Sequence, residues 1–126
     1  MEILFSLCEI YVSAGPINKT QDCFKTLRNL TIEGDPPTQA RYHYLASRFE
    51  LSQQNVSKAI DEIKWCLSLQ PNHRNYLSFL VNLLDQAGRY DEAIMALKKM
   101  QTLFSGEKQF EDRINQLNNK KSMKFY

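Results

Sequence analysis

The chain has 126 residues, 43% of them apolar and 24% charged, with a formal net charge of +2. That is enough chain for one domain with its own core and no metal or disulfide support, and the composition is globular rather than disordered. The near-neutral balance excludes the strong basic bias of a nucleic-acid or membrane-surface binder, and four Gly with four Pro are too few for a turn-rich β fold.

Helical periodicity runs along almost the whole chain. Leu4, Leu7, Cys8 and Tyr11 share one helical face, and Gly15-Pro16 ends that helix. A second helix is expected from about Lys19, presenting Cys23, Phe24, Leu27 and Leu30. Gly34-Asp35-Pro36-Pro37 is the clearest break. A third helix follows with Thr38 as its N-cap and Tyr42, Leu45, Ala46 and Phe49 facing inward. The fourth covers 56–69, with Val56, Ala59, Ile60, Ile63, Cys66 and Leu67, and Pro71 follows it. The fifth spans 75–86, and Gly88 closes it. The sixth spans 91–104, and Ser105-Gly106 precedes a more polar seventh with only Phe110, Ile114 and Leu117. The tail over 118–126, which includes Lys120, Lys121 and Lys124, is expected to fray. Seven helices with short connections predict an all-α stack of antiparallel hairpins.

Cys8, Cys23 and Cys66 are odd in number and widely spaced, each within an apolar helical pattern. That spacing suits neither a metal site nor a secreted disulfide scaffold, so buried free thiols in a reducing compartment are expected. The sequons at Asn18, Asn29 and Asn55 then read as chance matches. No apolar run approaches a membrane span, and the N-terminus lacks the pattern of a secretory signal. A cytoplasmic location is expected, with no membrane insertion and no nucleic-acid partner.

The hairpins repeat. Ala59 and Ala93 lie 34 residues apart, each followed by Ile and, three residues further, by Ile63 or Leu97. The same shift carries His43 onto Leu77, Ala46 onto Leu80 and Ser47 onto Val81. The stretch from Leu69 to Tyr76, with Pro71, and the run from Leu83 to Ile94, with Gly88, Tyr90 and Ala93, closely resemble the tetratricopeptide repeat family. There a Pro ends one repeat, a Gly and an aromatic turn the hairpin, and a small Ala lets paired helices approach. Leu4, Leu7, Cys8, Tyr11 and Gly15 match a first repeat, with about three extra residues in its turn and two more before Ala40. The resemblance covers roughly 1–104 and implies repeats at about 1–39, 40–73 and 74–107 in a single domain over 1–126, with a capping helix and tail over 108–126, coiled into a right-handed superhelix. Two departures are Val81 at a position the family keeps small and Gln54 in place of the turn Gly.

For function, the resemblance implies a protein-binding module rather than an enzyme, with the first helices of successive hairpins lining a concave groove. By spacing, the free face holds Glu2, Phe5, Glu9 and Val12 in the first repeat. It holds Arg41, Tyr44, Arg48 and Leu51 in the second, and Asn75, Ser78, Asn82 and Asp85 in the third. This mixture suits an amphipathic helix or extended segment with apolar anchors. The family's carboxylate clamp is disfavoured, since Leu45 stands in place of Asn, and Asn75 and Phe79 in place of basic residues. Two roles are left open. One is a scaffold or subunit of a larger assembly, which Met1 at a repeat start favours. The other is a small chaperone similar to those of type III secretion systems, with self-association possible in either.

Catalytic chemistry finds no support in the sequence, and no cofactor or metal ligand set is expected. His73 reads as a solvated turn residue and His43 as packing at a repeat interface, neither with a carboxylate at helical spacing. Asp61-Glu62 and Asp91-Glu92 read as acidic pairs complementing helix N-termini, Lys98-Lys99 as a pair near a helix end. Trp65 lies off the core stripe of its helix; packing under the next hairpin is preferred over an exposed hot spot.

Overall fold

Proline, glycine and local hydrogen bonds set where each helix begins and ends. The computed structural model describes residues 2–105 and 107–123. Among them are seven α-helices and no strand: α1 (Glu2–Ala14), α2 (Ile17–Thr31), α3 (Pro36–Ser52), α4 (Val56–Leu69), α5 (Arg74–Gln86), α6 (Tyr90–Leu103) and α7 (Lys108–Met123). Met1 as a repeat start, Gly106 of the Ser105-Gly106 break, and Lys124 of the basic tail with Phe125 and Tyr126 lie outside the described residues. The chain is all-α, built of sequential hairpins. Its packing falls into two compact units, Met1–Pro71 and Asn72–Tyr126.

In the N-terminal unit α1 pairs with α2 and α3 with α4, and α3 also rests on both helices of the first hairpin. The core there joins Phe5, Cys8, Cys23, Phe24, Leu27, Leu45 and Ala46. Phe24 is the centrepiece of the α2–α3 contact, its ring 6.1 Å from Tyr42 and 5.3 Å from Phe49. In the C-terminal unit α6 is sandwiched, pairing with α5 on one side and α7 on the other. Leu77, Leu84, Ala93, Leu97, Phe110 and Leu117 are buried within it.

Three boundaries differ from those expected. α2 starts at Ile17, directly after Pro16, because Pro fixes an extended residue ahead of the first turn. The N-cap of α3 is Asp35 rather than Thr38. Its carboxylate accepts from the Thr38 backbone N–H at 2.9 Å, and Pro36 and Pro37 occupy the first turn, where missing N–H groups cost nothing. Hydrogen bonding from Thr38, its side chain first and its backbone N–H second, holds the Asp35 carboxyl below its ordinary pKa. The tail is less frayed than expected: α7 continues to Met123. Its Lys120 and Lys121 are held by Asp85 of α5 and Asp91 of α6.

The second and third hairpins share one backbone plan at a spacing of 34 residues. α4 and α6 have matching bounds, Val56–Leu69 and Tyr90–Leu103. In both turns a left-handed residue lets a backbone N–H reach back across the helix end: Asn55 donates to Glu50 O and Arg89 to Leu84 O, each at 2.9 Å. The left-handed residue is Gly88 (φ 74°) in one turn and Gln54 (φ 62°) in the other. The missing turn glycine therefore leaves the geometry intact at a conformational cost. Gln54→Gly is expected to raise stability by about 0.5–1 kcal/mol, read as a higher urea midpoint at unchanged slope.

The cysteines correct the expectation of free thiols. Cys8 and Cys23 are disulfide-bonded, with Cα atoms 5.7 Å apart, and only Cys66 is free and buried. The reason lies in the repeat. Allowing for the longer first turns, Cys8 is equivalent to Ser47 and Cys23 to Ala59. Ser47 and Ala59 meet across α3 and α4, where the Ser47 hydroxyl donates to Ala59 O at 2.6 Å. A sequence spacing of 15 residues corresponds to about 3 kcal/mol of loop-closure stabilisation. Reduction, or Cys8→Ser with Cys23→Ser, is expected to lower unfolding stability by about that amount, measured by urea unfolding with and without reductant.

Candidate functional site

In the C-terminal unit the free face of α5 forms one wall of a cleft, and α7 forms the other. His73 caps α5: its Nδ1 accepts from the Tyr76 N–H at 3.4 Å and its ring stacks on Tyr76 at 3.7 Å. The residue is thus a helix cap rather than a merely solvated turn. The cleft has a volume of about 410 Å³. Val81, Leu97, Met100 and Phe110 give it an apolar floor, and Ser78, Asn82, Gln109 and Gln116 give it a polar rim. Ser78 and Asn82, two of the four expected α5 residues, therefore line it. Asn75 is exposed on the same helix, outside the cleft lining.

Charged pairs hold the two walls apart at a fixed spacing. At one end Arg74 grips Glu107 with both guanidinium nitrogens, one bond being 2.9 Å, and lies over the Phe104 and Phe110 rings at 5.2 and 5.4 Å. At the other, Asp85 accepts from Arg113 at 2.9 Å and from Lys120 at 2.9 and 3.0 Å, while Asn82 accepts from Arg113 at 3.3 Å. Asp85 was expected to be open to a partner; it is instead neutralised by α7. Sequence spacing along α5 places Asp85 on the free face but does not reveal which cations α7 brings to it.

In the N-terminal unit the expected residues of α1 and α3 also meet. Arg41 bonds Glu2, approaches Glu9 at 4.0 Å and lies 4.2 Å over the Phe5 ring. Phe5, expected as an apolar anchor for a partner, is 2% exposed and belongs to the core. Arg41 covers it, and an aromatic under a guanidinium is shielded from any ligand. Val12 is likewise partly buried against the core. On α3, Arg48 lies 5.9 Å from the Tyr44 ring and Leu51 is half-exposed.

A second cleft, of about 430 Å³, opens on the other side of α3, lined by Arg28, Ile32, Gln39, Tyr42, His43, Glu62 and Trp65 among others. Here one expectation fails, and a contact that helical spacing does not show is added. Trp65 is 60% exposed rather than packed under a following hairpin, with its ring 5.3 Å from His43. His43 does have a carboxylate partner, Glu62 at 2.7 Å. The pair joins α3 to α4 across 19 residues of sequence, which periodicity within one helix cannot reveal. Glu62 thus serves this cross-helix pair rather than the α4 N-terminus, whose first turn holds no acidic residue; Asp91 and Glu92 do stand in the first turn of α6. Burial, then repulsion from Glu62, raises the Tyr42 hydroxyl above its usual pKa, with Arg28 partly offsetting them.

Among the described residues no group of three or more His, Cys, Asp or Glu is placed to hold a metal ion, and no helix is long and apolar enough to cross a membrane. No family model matches the sequence, and no curated protein matches it.

The Arg74–Glu107 contact has a defined acid response. The Arg74 guanidinium first, and the Gln109 amide second, hold the Glu107 carboxyl below the ordinary carboxylate pKa. A depressed folded-state pKa means the contact is at full strength above the ordinary value and is lost as pH falls through the depressed one. Ring chemical shifts of Phe104 and Phe110, which lie under Arg74, are expected to hold until below the usual carboxylate range and then step. In Glu107→Gln the step is expected to vanish.

Proposed function

We propose that the chain is a tetratricopeptide-like protein-binding module that takes a helical or extended segment of a partner protein, as a scaffold or subunit of a larger assembly. The observation that carries this reading is the cleft between α5 and α7. Its floor of Val81, Leu97, Met100 and Phe110 is apolar, and its rim amides on Asn82, Gln109 and Gln116 offer both donors and acceptors. Such a rim suits the backbone of an extended segment, while the floor takes one or two apolar side chains. Because Arg74 and Arg113 are already paired with Glu107 and Asp85, the segment needs no acidic terminus. This agrees with the absence of the carboxylate-clamp residues from the sequence.

The 34-residue congruence of the second and third hairpins supports the family reading, as do the paired small positions at Ala59 and Ala93. A cytoplasmic placement fits the N-terminal sequence pattern and the Cys66 thiol, while the Cys8–Cys23 disulfide counts against it. The redox state of Cys8 and Cys23 in the purified native protein decides it.

A photoreactive residue at Gln116, on the cleft rim, identifies the segment bound in extracts, and fluorescence anisotropy with the synthetic segment then measures affinity. Ser78→Trp fills the cleft from a half-exposed position and is expected to weaken binding at least tenfold with helicity unchanged. Arg48→Glu is the corresponding change on the α3 face. Unaltered affinity in both, with normal circular dichroism, would remove the groove reading.

A further inference from the structure

α1 carries two apolar faces. One is buried through Phe5 and Cys8, but Ile3, Leu7 and Ile10 on the other are 85%, 40% and 63% exposed. Their spacing of four and three places them on a single stripe. The register that makes Cys8 equivalent to Ser47 also makes Ile3, Leu7 and Ile10 equivalent to Tyr42, Ala46 and Phe49 of α3. Those three residues do a defined job: they belong to the cluster that receives Phe24, from the second helix of the preceding hairpin. In the chain's own packing plan, the exposed stripe of α1 is thus a helix-receiving face.

Beside the stripe lies a hollow of about 330 Å³, lined by Leu4, Leu7 and Tyr11 of α1 and Lys19, Asp22, Cys23 and Thr26 of α2. The Lys19 and Asp22 side chains, three residues apart on α2, make no ion pair among the described residues. A helix lying along the stripe meets this positive and negative pair at the hollow's rim.

We propose that this face of α1 docks an amphipathic helix from a partner protein. A bulky apolar side chain of that helix seats beside Leu7, as Phe24 seats beside Ala46. An acidic and a basic residue one turn apart on it complement Lys19 and Asp22. A second copy of the chain fits poorly. The corresponding second helices α2 and α6 are covered by α3 and α7. α4 exposes one large apolar side chain, Trp65, among Lys58, Asp61, Lys64 and Ser68 rather than an apolar stripe. The exposed side of α7 includes Glu111, Asp112, Asn115 and Asn118. Two α1 stripes crossing each other would bury three apolar side chains apiece, well short of the roughly 800 Å² per partner of a stable dimer.

The test uses the full chain and a hydrocarbon-stapled helical peptide copying residues 17–31 with Cys23→Ser. This probe presents Phe24 between Asp22 and Lys25. Titration followed by amide chemical shifts is expected to show saturable, sub-millimolar binding with shifts at Ile3, Leu7, Ile10 and Lys19. Ile10→Glu is expected to weaken it at least tenfold, and Lys19→Glu by a smaller factor. Ser78→Trp, in the other unit's cleft, should leave it unchanged, so this surface and the groove stand or fall separately. Should Ile10→Glu lose helicity, Ile3→Gln replaces it. No saturable binding, or equal affinity in the α1 variant, would overturn the proposal. So would dimerisation of the free chain that Ile10→Glu abolishes in sedimentation, since the occupant would then be a second copy.

Discussion

Everything in this chain hangs on how closely the two helices of each hairpin approach. At the crossing, a small residue on the second helix (Cys23, Ala59 or Ala93) meets a compact one on the first (Cys8, Ser47 or Val81), and all six are buried. Only a short side chain at that point lets the flanking Leu, Ile and Phe residues of both helices interdigitate, because interiors are packed to crystal-like density. The three crossings solve the same contact with different chemistry. A disulfide closes the first, and the Ser47 hydroxyl on the Ala59 carbonyl closes the second. The third pairs Val81 with Ala93, apolar groups alone. The buried hydroxyl costs little because it is hydrogen-bonded, as no buried side-chain nitrogen or oxygen among the described residues lacks a partner.

Once that approach is fixed, the turns have little freedom. The chain must reverse within a few residues while the last carbonyls of one helix find donors, and a left-handed residue meets both demands. Gly88 does so without penalty. Gln54 adopts the same conformation because the tight α3–α4 pairing on either side over-determines it. The first hairpin meets the constraint differently, with only Gly15 and Pro16 between α1 and α2. There the buried Thr20 hydroxyl donates to the Tyr11 and Pro16 carbonyls, both at 3.1 Å.

Most of the fold was legible in the sequence because it depends on periodicity and small-residue positions, both of which survive in one dimension. The later hairpins emerged with their inward faces, down to Ala59, Ile63, Ala93 and Leu97, whereas Leu7 and Leu30, grouped by periodicity with buried neighbours, are 40% and 53% exposed. What was not legible depends on which side chain arrives from another helix. Phe5 was assigned to a binding face because its spacing on α1 is that of a free face. Only the arrival of Arg41 from α3 shows that the ring is covered. Spacing puts Asp85 on the same kind of face and carries no sign of Arg113 and Lys120, which reach it from α7. The Cys8–Cys23 pair was in principle within reach. Aligning the first repeat by its small position, rather than weighing cysteine counts, places the two thiols at a helix crossing.

The helices at the two ends of the described chain differ in what they present outward, and that difference follows from the same plan. A first helix in this architecture has three duties: to pair with its own second helix, to lie on the hairpin before it, and to leave a third face free. α3 meets all three, with Ser47 toward α4, Tyr42 and Phe49 on Phe24, and Arg48 and Leu51 outward and half-exposed. α1 pairs through Cys8 but carries the second face uncovered, in Ile3, Leu7 and Ile10. α7 has one apolar stripe, Phe110, Ile114 and Leu117, and turns polar residues outward. Scattered exposed apolar residues need no explanation, but a stripe in helical register with a receiving face elsewhere in the same chain does. Among the described residues α7 carries no second apolar stripe, whereas α1 carries one, in register with the face of α3 that receives Phe24.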